Sequence, residues 1–406
     1  MMWFFFIAVA ILSLMYGYIG WRLIIPAAFS LPVNLLLWGL LLIFLILFFL
    51  PNILQHNEVE GRLIDILSWA GYLSFGFLTL LFAFLVVRDV VLLIGIGLQK
   101  LIPVTAQLIH PTSSPSATEL ADPERRHLLI NTINLGLAVT AGAMTGYGLF
   151  EALRRPKIVD LTIPIRNLPP VFEGFRIVQI TDIHVSSTIK EPFVRMVVDM
   201  VNDLKPDLVA LTGDLVDGSV PRLRGDVAPL ADLKAPYGRY FITGNHEYYS
   251  GVLPWLAEIK KLGFDILLNE HRVLERDGHK LILAGVTDYS GGEFLPDHKS
   301  DPHRALAGAP EGLPRILLAH QPKNIFEAAR AGYDYVISGH THGGQYFPYH
   351  FLAALAQPYI SGMHRHEGTL IYISRGTGYW GPQIRIGARS EITVHHLVAG
   401  KSICEL

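Results

Sequence analysis

The chain has 406 residues, of which 51% are hydrophobic and only 17% charged, a balance that excludes an ordinary soluble globular chain and points to a membrane protein. Lys+Arg 33 against Asp+Glu 35 gives a formal net charge of −2, so the basic excess that marks a nucleic-acid partner is missing and no such partner is expected. A single cysteine, Cys404, permits neither a disulfide framework nor a multi-cysteine metal site.

Residues 1–50 carry one charged side chain, Arg22, and divide at Pro26 and Pro32 into two apolar runs, 4–25 and 33–50. A helix needs about 20 mostly apolar residues to cross the hydrocarbon, because a backbone in lipid must satisfy its own hydrogen bonds. Runs 66–87 and 128–150 meet that test too, so a transmembrane bundle of about four helices is expected. The third run meets Arg88-Asp89 and then a further apolar stretch, 90–98, expected as an interfacial helix or a continuation buried against neighbours. The first run opens without a basic segment and more spans follow it, so it reads as a retained anchor rather than a cleaved signal peptide. Residues 110–126, rich in Pro, Ser and charge, read as a solvated linker between the third and fourth spans.

Inside the spans no acid, histidine relay or small-residue array stands out beyond scattered positions such as Gly71 and Gly76, which favours an anchor over a transport pathway. An even span count puts the N-terminus and the following domain on one side. Arg62, Arg154, Arg155 and Lys157 lie on that side, and Arg22, Arg88, Lys100, Arg125 and Arg126 on the other. The positive-inside rule hardly separates them; the basic cluster right after the fourth span leans the reading to a cytoplasmic domain. The expected division is 1–155 for the anchor and 156–406 for a second, soluble domain.

From Pro156 the texture changes to short β-rich runs alternating with helical stretches, as in α/β domains. Run 176–180 leads into Thr181-Asp182-Ile183-His184, and 208–212 into Gly213-Asp214-Leu215-Val216-Asp217. Run 240–243 leads into Gly244-Asn245-His246-Glu247, 315–318 into Ala319-His320, and 333–337 into Gly339-His340-Thr341-His342-Gly343-Gly344-Gln345. Five times a buried strand delivers Asp, Asn or His at its C-terminal end, the edge where open α/β folds bind ligands. Asp182, His184, Asp214, Asn245, His320, His340 and His342 are nitrogen and oxygen donors without a thiolate, a set that suits Mn, Fe, Zn or Co. Seven donors exceed the needs of one ion; with one bridging carboxylate they fit two, held about 3.5–4 Å apart as in phosphoryl-transfer centres.

The ordered set Asp-x-His, Gly-Asp-x-x-Asp, Gly-Asn-His-Glu, His, Gly-His-x-His resembles the calcineurin-like metallophosphoesterase superfamily. The resemblance covers roughly 158–397 and none of the membrane half. It implies a β-sandwich flanked by helices for the α/β domain. Asp182, His184 and His342 would hold one divalent ion, Asn245, His320 and His340 the second, and Asp214 would bridge them, with a metal-bridging hydroxide as nucleophile. By the same resemblance His246 protonates the leaving oxygen and Asp217 orients its imidazole. Gly-His-Thr-His-Gly-Gly-Gln and the leading anchor are similar to bacterial membrane-associated phosphoesterases, a group that includes lipid-linked nucleotide-sugar hydrolases.

Departures narrow the choice. Asp217 stands where purple acid phosphatases carry a Tyr, and Gly218-Ser219 follows where protein Ser/Thr phosphatases continue Arg-Gly. The missing Arg favours a phosphodiester or pyrophosphate over a phosphoprotein. Arg385 is a candidate for contact with a substrate phosphate, with a surface or salt-bridge role as the alternative. The apolar, aromatic insert 346–360 reads either as a packed loop or short core helix, or as a membrane-facing lip for a lipid-bearing substrate. His364 and His366 share metal-binding spacing but no strand-end acid precedes them. The expected protein is therefore a membrane-anchored phosphoesterase, with membrane lipids and a phosphoester, plausible in lipid-linked form, as partners. The alternatives are a transporter or sensor with a regulatory phosphoesterase domain, and a catalytically silent binding module.

Overall fold

The computed structural model describes residues 2–56, 61–109 and 123–400; most of the expected linker 110–126, and Cys404, lie outside them. The chain divides into two compact units, Met1–Tyr147 and Gly148–Leu406.

Four helices make the first unit: α1 (Met2–Leu23), α2 (Leu31–His56), α3 (Arg62–Ile109) and most of α4 (Pro123–Leu153). All four are long and apolar enough to cross a membrane. Stretch 90–98 is neither a separate interfacial helix nor a buried one. It continues α3 without a break, and Val91, Leu93 and Leu98 are exposed. Gly71 lets α3 close on α2, since a Cβ there would stand 2.2 Å from the carbonyl oxygen of Leu47.

Just past the third apolar run, a buried acid stands out. Asp89 is buried and accepts from Tyr18 Oη at 2.5 Å, Arg22 Nε at 2.5 Å and Arg88 Nη2 at 2.6 Å. Arg88 also bonds the Asn134 side chain, whose Nδ2 donates to the Arg22 carbonyl at 3.0 Å. Arg22 comes from α1, Arg88 and Asp89 from α3 and the neutral Asn134 from α4, so the cluster becomes visible only once the helices pack.

The second unit begins before residue 156, because the last turns of α4 belong to it and Ala152 joins its core. One sheet contains β1 (Lys157–Arg166), β2 (Arg176–Ile180), β3 (Leu208–Leu211), β4 (Arg239–Phe241), β5 (Asp265–Ile266) and β12 (Glu391–Gly400), in the order β1-β12-β2-β3-β4-β5. A second contains β6 (Glu270–Arg276), β7 (His279–Gly285), β8 (Arg315–Leu318), β9 (Tyr335–Ser338), β10 (Gly362–His366) and β11 (Thr369–Ile373), in the order β10-β11-β9-β8-β7-β6. Both sheets are mixed: β2 to β5 are parallel, as are β7, β8, β9 and β11, while β12 against β2, β6 against β7 and β10 against β11 are antiparallel.

Strands covered on both faces read as continuous apolar runs, and Leu208-Val209-Ala210-Leu211 is wholly buried. Its alternation divides the layers. Leu208 and Ala210 face the inter-sheet core with Ile177, Leu283, Ile316 and Ile337, whereas Val209 and Leu211 pack with α5 (Glu191–Asp203), α6 (Val220–Val227) and α8 (Val252–Lys261). On the far face of the second sheet Val336 and Leu317 pack with α9 (Ile325–Arg330). The unit is thus a β-sandwich flanked by helices. Leu283→Ala, in the inter-sheet core away from the strand ends, is expected to remove about 2–5 kcal/mol of stability. A thermal melt of the detergent-solubilised chain reads this directly.

Candidate metal centre

The parallel strands all end at one edge of the sandwich, and each terminus turns sharply as it leaves its sheet. Asp182, His184, Asp214, His340 and His342 have positive φ, from 51° to 74°. Non-glycine residues adopt that left-handed region at about 1–3 kcal/mol each, so such a cluster marks a place where packing imposes the backbone. Glycines precede the ligands for a steric reason. A Cβ on Gly244 would stand 2.1 Å from Asp214 Oδ1, and one on Gly339 2.2 Å from Asp182 Oδ2.

The turns bring six of the seven candidate ligands into two groups. Asp182, His184 and His342 form one group, and Asp214, His320 and His340 another; in each, the candidate ligand atoms lie within 4.8 Å of one another. Asp214 stands between them, with Oδ2 3.1 Å from His320 Nε2 and 3.8 Å from His184 Nε2. His184 Nε2 and His342 Nε2 face each other at 3.0 Å, and His340 Nδ1 lies 3.2 Å from His320 Nε2. The Oδ1 of Asn245 is buried without a hydrogen-bond partner. A buried acceptor left unpaired, beside imidazole nitrogens converging on common points, is the arrangement divalent cations satisfy; the residues fit them.

Electrostatics follow from burial and pairing. Burial, helped by the neighbouring His320, pushes His340 down to about 3 and holds His342 well below its ordinary value, so both imidazoles are neutral, as ligands must be. Burial also raises Asp182. Asp214 is held well below the carboxylate range, because His320, His246 and His184 outweigh its desolvation.

Beside the ligands, on the short helix α7 (Asn245–Tyr249), stands His246. Its backbone N donates to Asp214 Oδ1 at 2.9 Å, and its Nδ1 lies 2.5 Å from Asp217 Oδ1. Burial disfavours charge on this imidazole, but Asp217 and Asp214 outweigh it and raise it to about 9. Asp217 has a second duty that the spacing did not reveal: its Oδ2 lies 3.1 Å from Nδ1 of the ligand His184. Carboxylates behind metal-binding imidazoles orient the ring. Glu247 was likewise missed. It is buried and accepts from the backbone N of Gly244, Asp214 and Leu215 at 2.7, 3.0 and 2.8 Å, tying two ligand turns together.

Arg385 is neither at the surface nor in a salt bridge. It is fully buried behind the ligands, with Nη2 2.9 Å from His342 Nδ1. No aspect of residue type distinguishes a buried arginine from an exposed one, so this placement was not legible in the sequence. His364 stacks on Tyr359 and His366 meets Phe326 edge-on; neither belongs to a metal-holding group among the described residues.

An aromatic rim surrounds His246. Tyr249 and Trp380 lie with ring centroids 5.2 and 5.6 Å away, Phe294 packs on Tyr249, and Tyr349 reaches Trp380. Tyr349 begins α10 (Tyr349–Ala356), which buries none of its residues and exposes Phe351, Leu352 and Leu355. The insert is therefore not a core helix.

Residues 175–344 match the calcineurin-like phosphoesterase family. A Danio rerio transmembrane protein with a metallophosphoesterase domain is 41% identical over 267 residues, covering 64% of this chain and 61% of that protein. A Helicobacter pylori metallophosphoesterase is 39% identical over 281 residues, 68% of this chain and 73% of its own length. One from Bacillus subtilis is 31% identical over 269 residues, 64% of this chain and 92% of its own. The chain spans 61% of the length of its Danio rerio relative.

Proposed function

The chain belongs to the calcineurin-like metallophosphoesterases, and from that premise we propose a multi-pass, membrane-anchored hydrolase that uses two divalent ions to cleave a phosphodiester or pyrophosphate bond in a lipid-linked substrate. One observation carries the reading: two ligand groups meet at a single buried carboxylate, Asp214, with His246 poised beside it on Asp217. Divalent ions held there, of the Mn, Fe, Zn or Co class, would supply the Lewis acidity that acidifies water and neutralises phosphoryl oxygens.

The chain's own residues do the rest. Asp182, His184 and His342 would hold one ion and Asn245, His320 and His340 the other, with Asp214 as the shared ligand. His246 carries the proton for the leaving oxygen at Nε2, while Asp217 at Nδ1 keeps the ring protonated and aimed. With Arg385 buried behind His342, the cation that a monoester dianion would call for is not offered by that side chain, which supports a diester or pyrophosphate. The rim of Tyr249, Phe294 and Trp380 and the exposed face of α10 support an amphiphilic substrate drawn from membrane lipids. In this reading the catalytic unit shares the N-terminus's side of the membrane, the cytoplasmic one.

The test measures metal content of the detergent-purified chain and Mn-dependent hydrolysis of an aryl diester, an aryl monoester and a long-chain diester in mixed micelles. About two ions per chain, diester over monoester and a gain with chain length are expected. Monoester preference would return the enzyme to the phosphatase branch, and indifference to chain length would remove the lipid from the proposal. A transporter or sensor reading draws on the Asp89 cluster alone; Asp89 is already engaged by three donors, as a clamp between helices is.

A further inference from the structure

Arg385 is a buried cation on which the buried Asp182 and Glu391 act only at a distance. Among the described residues no carboxylate lies within salt-bridge distance of it. Its guanidinium is instead fixed by backbone carbonyls: Nε and Nη2 donate to Gly378 at 2.9 and 2.5 Å, and Nη1 to Ala388 at 2.7 Å and to His342 at 3.4 Å. The remaining contact is Nη2 at 2.9 Å from His342 Nδ1. A planar fork pinned at three points has one orientation, and through Nη1 it also holds the backbone carbonyl of His342, a candidate metal ligand.

The same residue is held from the other side by α4. Its backbone N donates to the Gly148 carbonyl at 2.9 Å. The flanking Ile384 and Ile386 lie so near Gly148 that a Cβ there would stand 2.4 Å from Ile384 Cγ2 and 3.1 Å from Ile386 Cγ1. Gly148 lies within the window His127–Leu153, the fourth candidate span, and its lack of a side chain lets the end of that helix lie directly on segment 384–386. One residue therefore links the helix end to His342.

We infer that Arg385 is a positioning residue for His342 and is itself held in place by the last turns of α4, which belong to the same compact unit. The inference rests on the reading of His342 as a metal ligand. Under it, disturbing the end of α4 shifts segment 384–386, turns the guanidinium and moves His342.

The test uses the full chain, stripped of metal in detergent and titrated with Mn by calorimetry, with kcat and KM on an aryl diester recorded alongside. Arg385→Ala is expected to weaken one of the Mn ions by about ten- to a hundredfold, the range for residues that orient metal ligands, while the other keeps its affinity. In the same variant kcat falls more than KM rises. Gly148→Val should act in the same direction from the helix side, and Arg385→Lys, which keeps the charge but loses the fork, should restore only part. Full Mn affinity in Arg385→Ala, with nothing changed but the melting temperature, would reduce Arg385 to a packing residue. Unchanged Mn affinity in Gly148→Val would break the link to α4. Should Arg385→Ala fail to fold, Arg385→Lys and Gly148→Val decide. Wild type that binds no Mn at all would overturn the metal reading itself, a result distinct from two ions bound alike in every variant.

Discussion

Asp214→Ala is expected to abolish phosphoester hydrolysis, by on the order of 10³-fold or more, since on the proposed function it removes a ligand shared by both ions rather than a residue that orients one. The side chain is buried, and four polar groups lean on it. Oδ2 lies 3.1 Å from His320 Nε2, 3.8 Å from His184 Nε2 and 4.0 Å from His246 Nε2, and Oδ1 accepts the His246 backbone N at 2.9 Å. Its loss leaves three imbalanced imidazoles around a void and no donor common to the two groups. The expected protein is metal-poor, not merely slow. Asp214→Asn separates the two effects: it keeps the shape and the bond to His246 N, so melting should change little while metal content and rate still collapse. Either variant retaining metal and rate would remove Asp214 from the centre.

His246→Ala is expected to lower the rate about 10²–10⁴-fold, the usual contribution of a positioned general acid, with metal content unchanged. The loss should be largest for an alkyl leaving group, which needs the proton, and smallest for a nitrophenolate, which does not. The pH profile carries the same information. Burial alone would discharge this imidazole, but Asp217 and Asp214 raise it to about 9, so the acid form is present below that value and is lost as pH rises through it. Cations bound beside Asp214 draw the limb lower. Asp217→Asn removes the leading carboxylate and must move the alkaline limb further down, because a raised value owed to that charge falls with it. An alkaline limb that stays where it is in Asp217→Asn, with metal content intact, would assign it to another group.

Much of this was legible in the sequence because strand ends are punctuated. A buried run such as Leu208-Val209-Ala210-Leu211 followed by Gly213-Asp214 announces both a strand and what it delivers, and five such runs in order point to one edge. The apolar lengths of the first four helices were equally plain. What stayed hidden depends on contacts between distant segments. Asp217 backs His184 as well as His246 because two turns cross, which no spacing encodes. Asp89 marked only the end of the third apolar run until α1 supplied Tyr18 and Arg22. Arg385 read as a substrate-phosphate contact or a surface or salt-bridge cation, since an arginine gives no sign of burial until carbonyls from Gly378 and Ala388 are seen around it. The positive φ values of five ligands were invisible for the same reason: packing imposes them.

Asp217 sits between two imidazoles with different tasks, 2.5 Å from one and 3.1 Å from the other. A carboxylate has a fixed amount of negative charge to share, so whatever draws on it from the His184 side leaves less for His246. A cation held at His184 would polarise that ring and strengthen its hold on Asp217, so the two imidazoles would compete for one side chain.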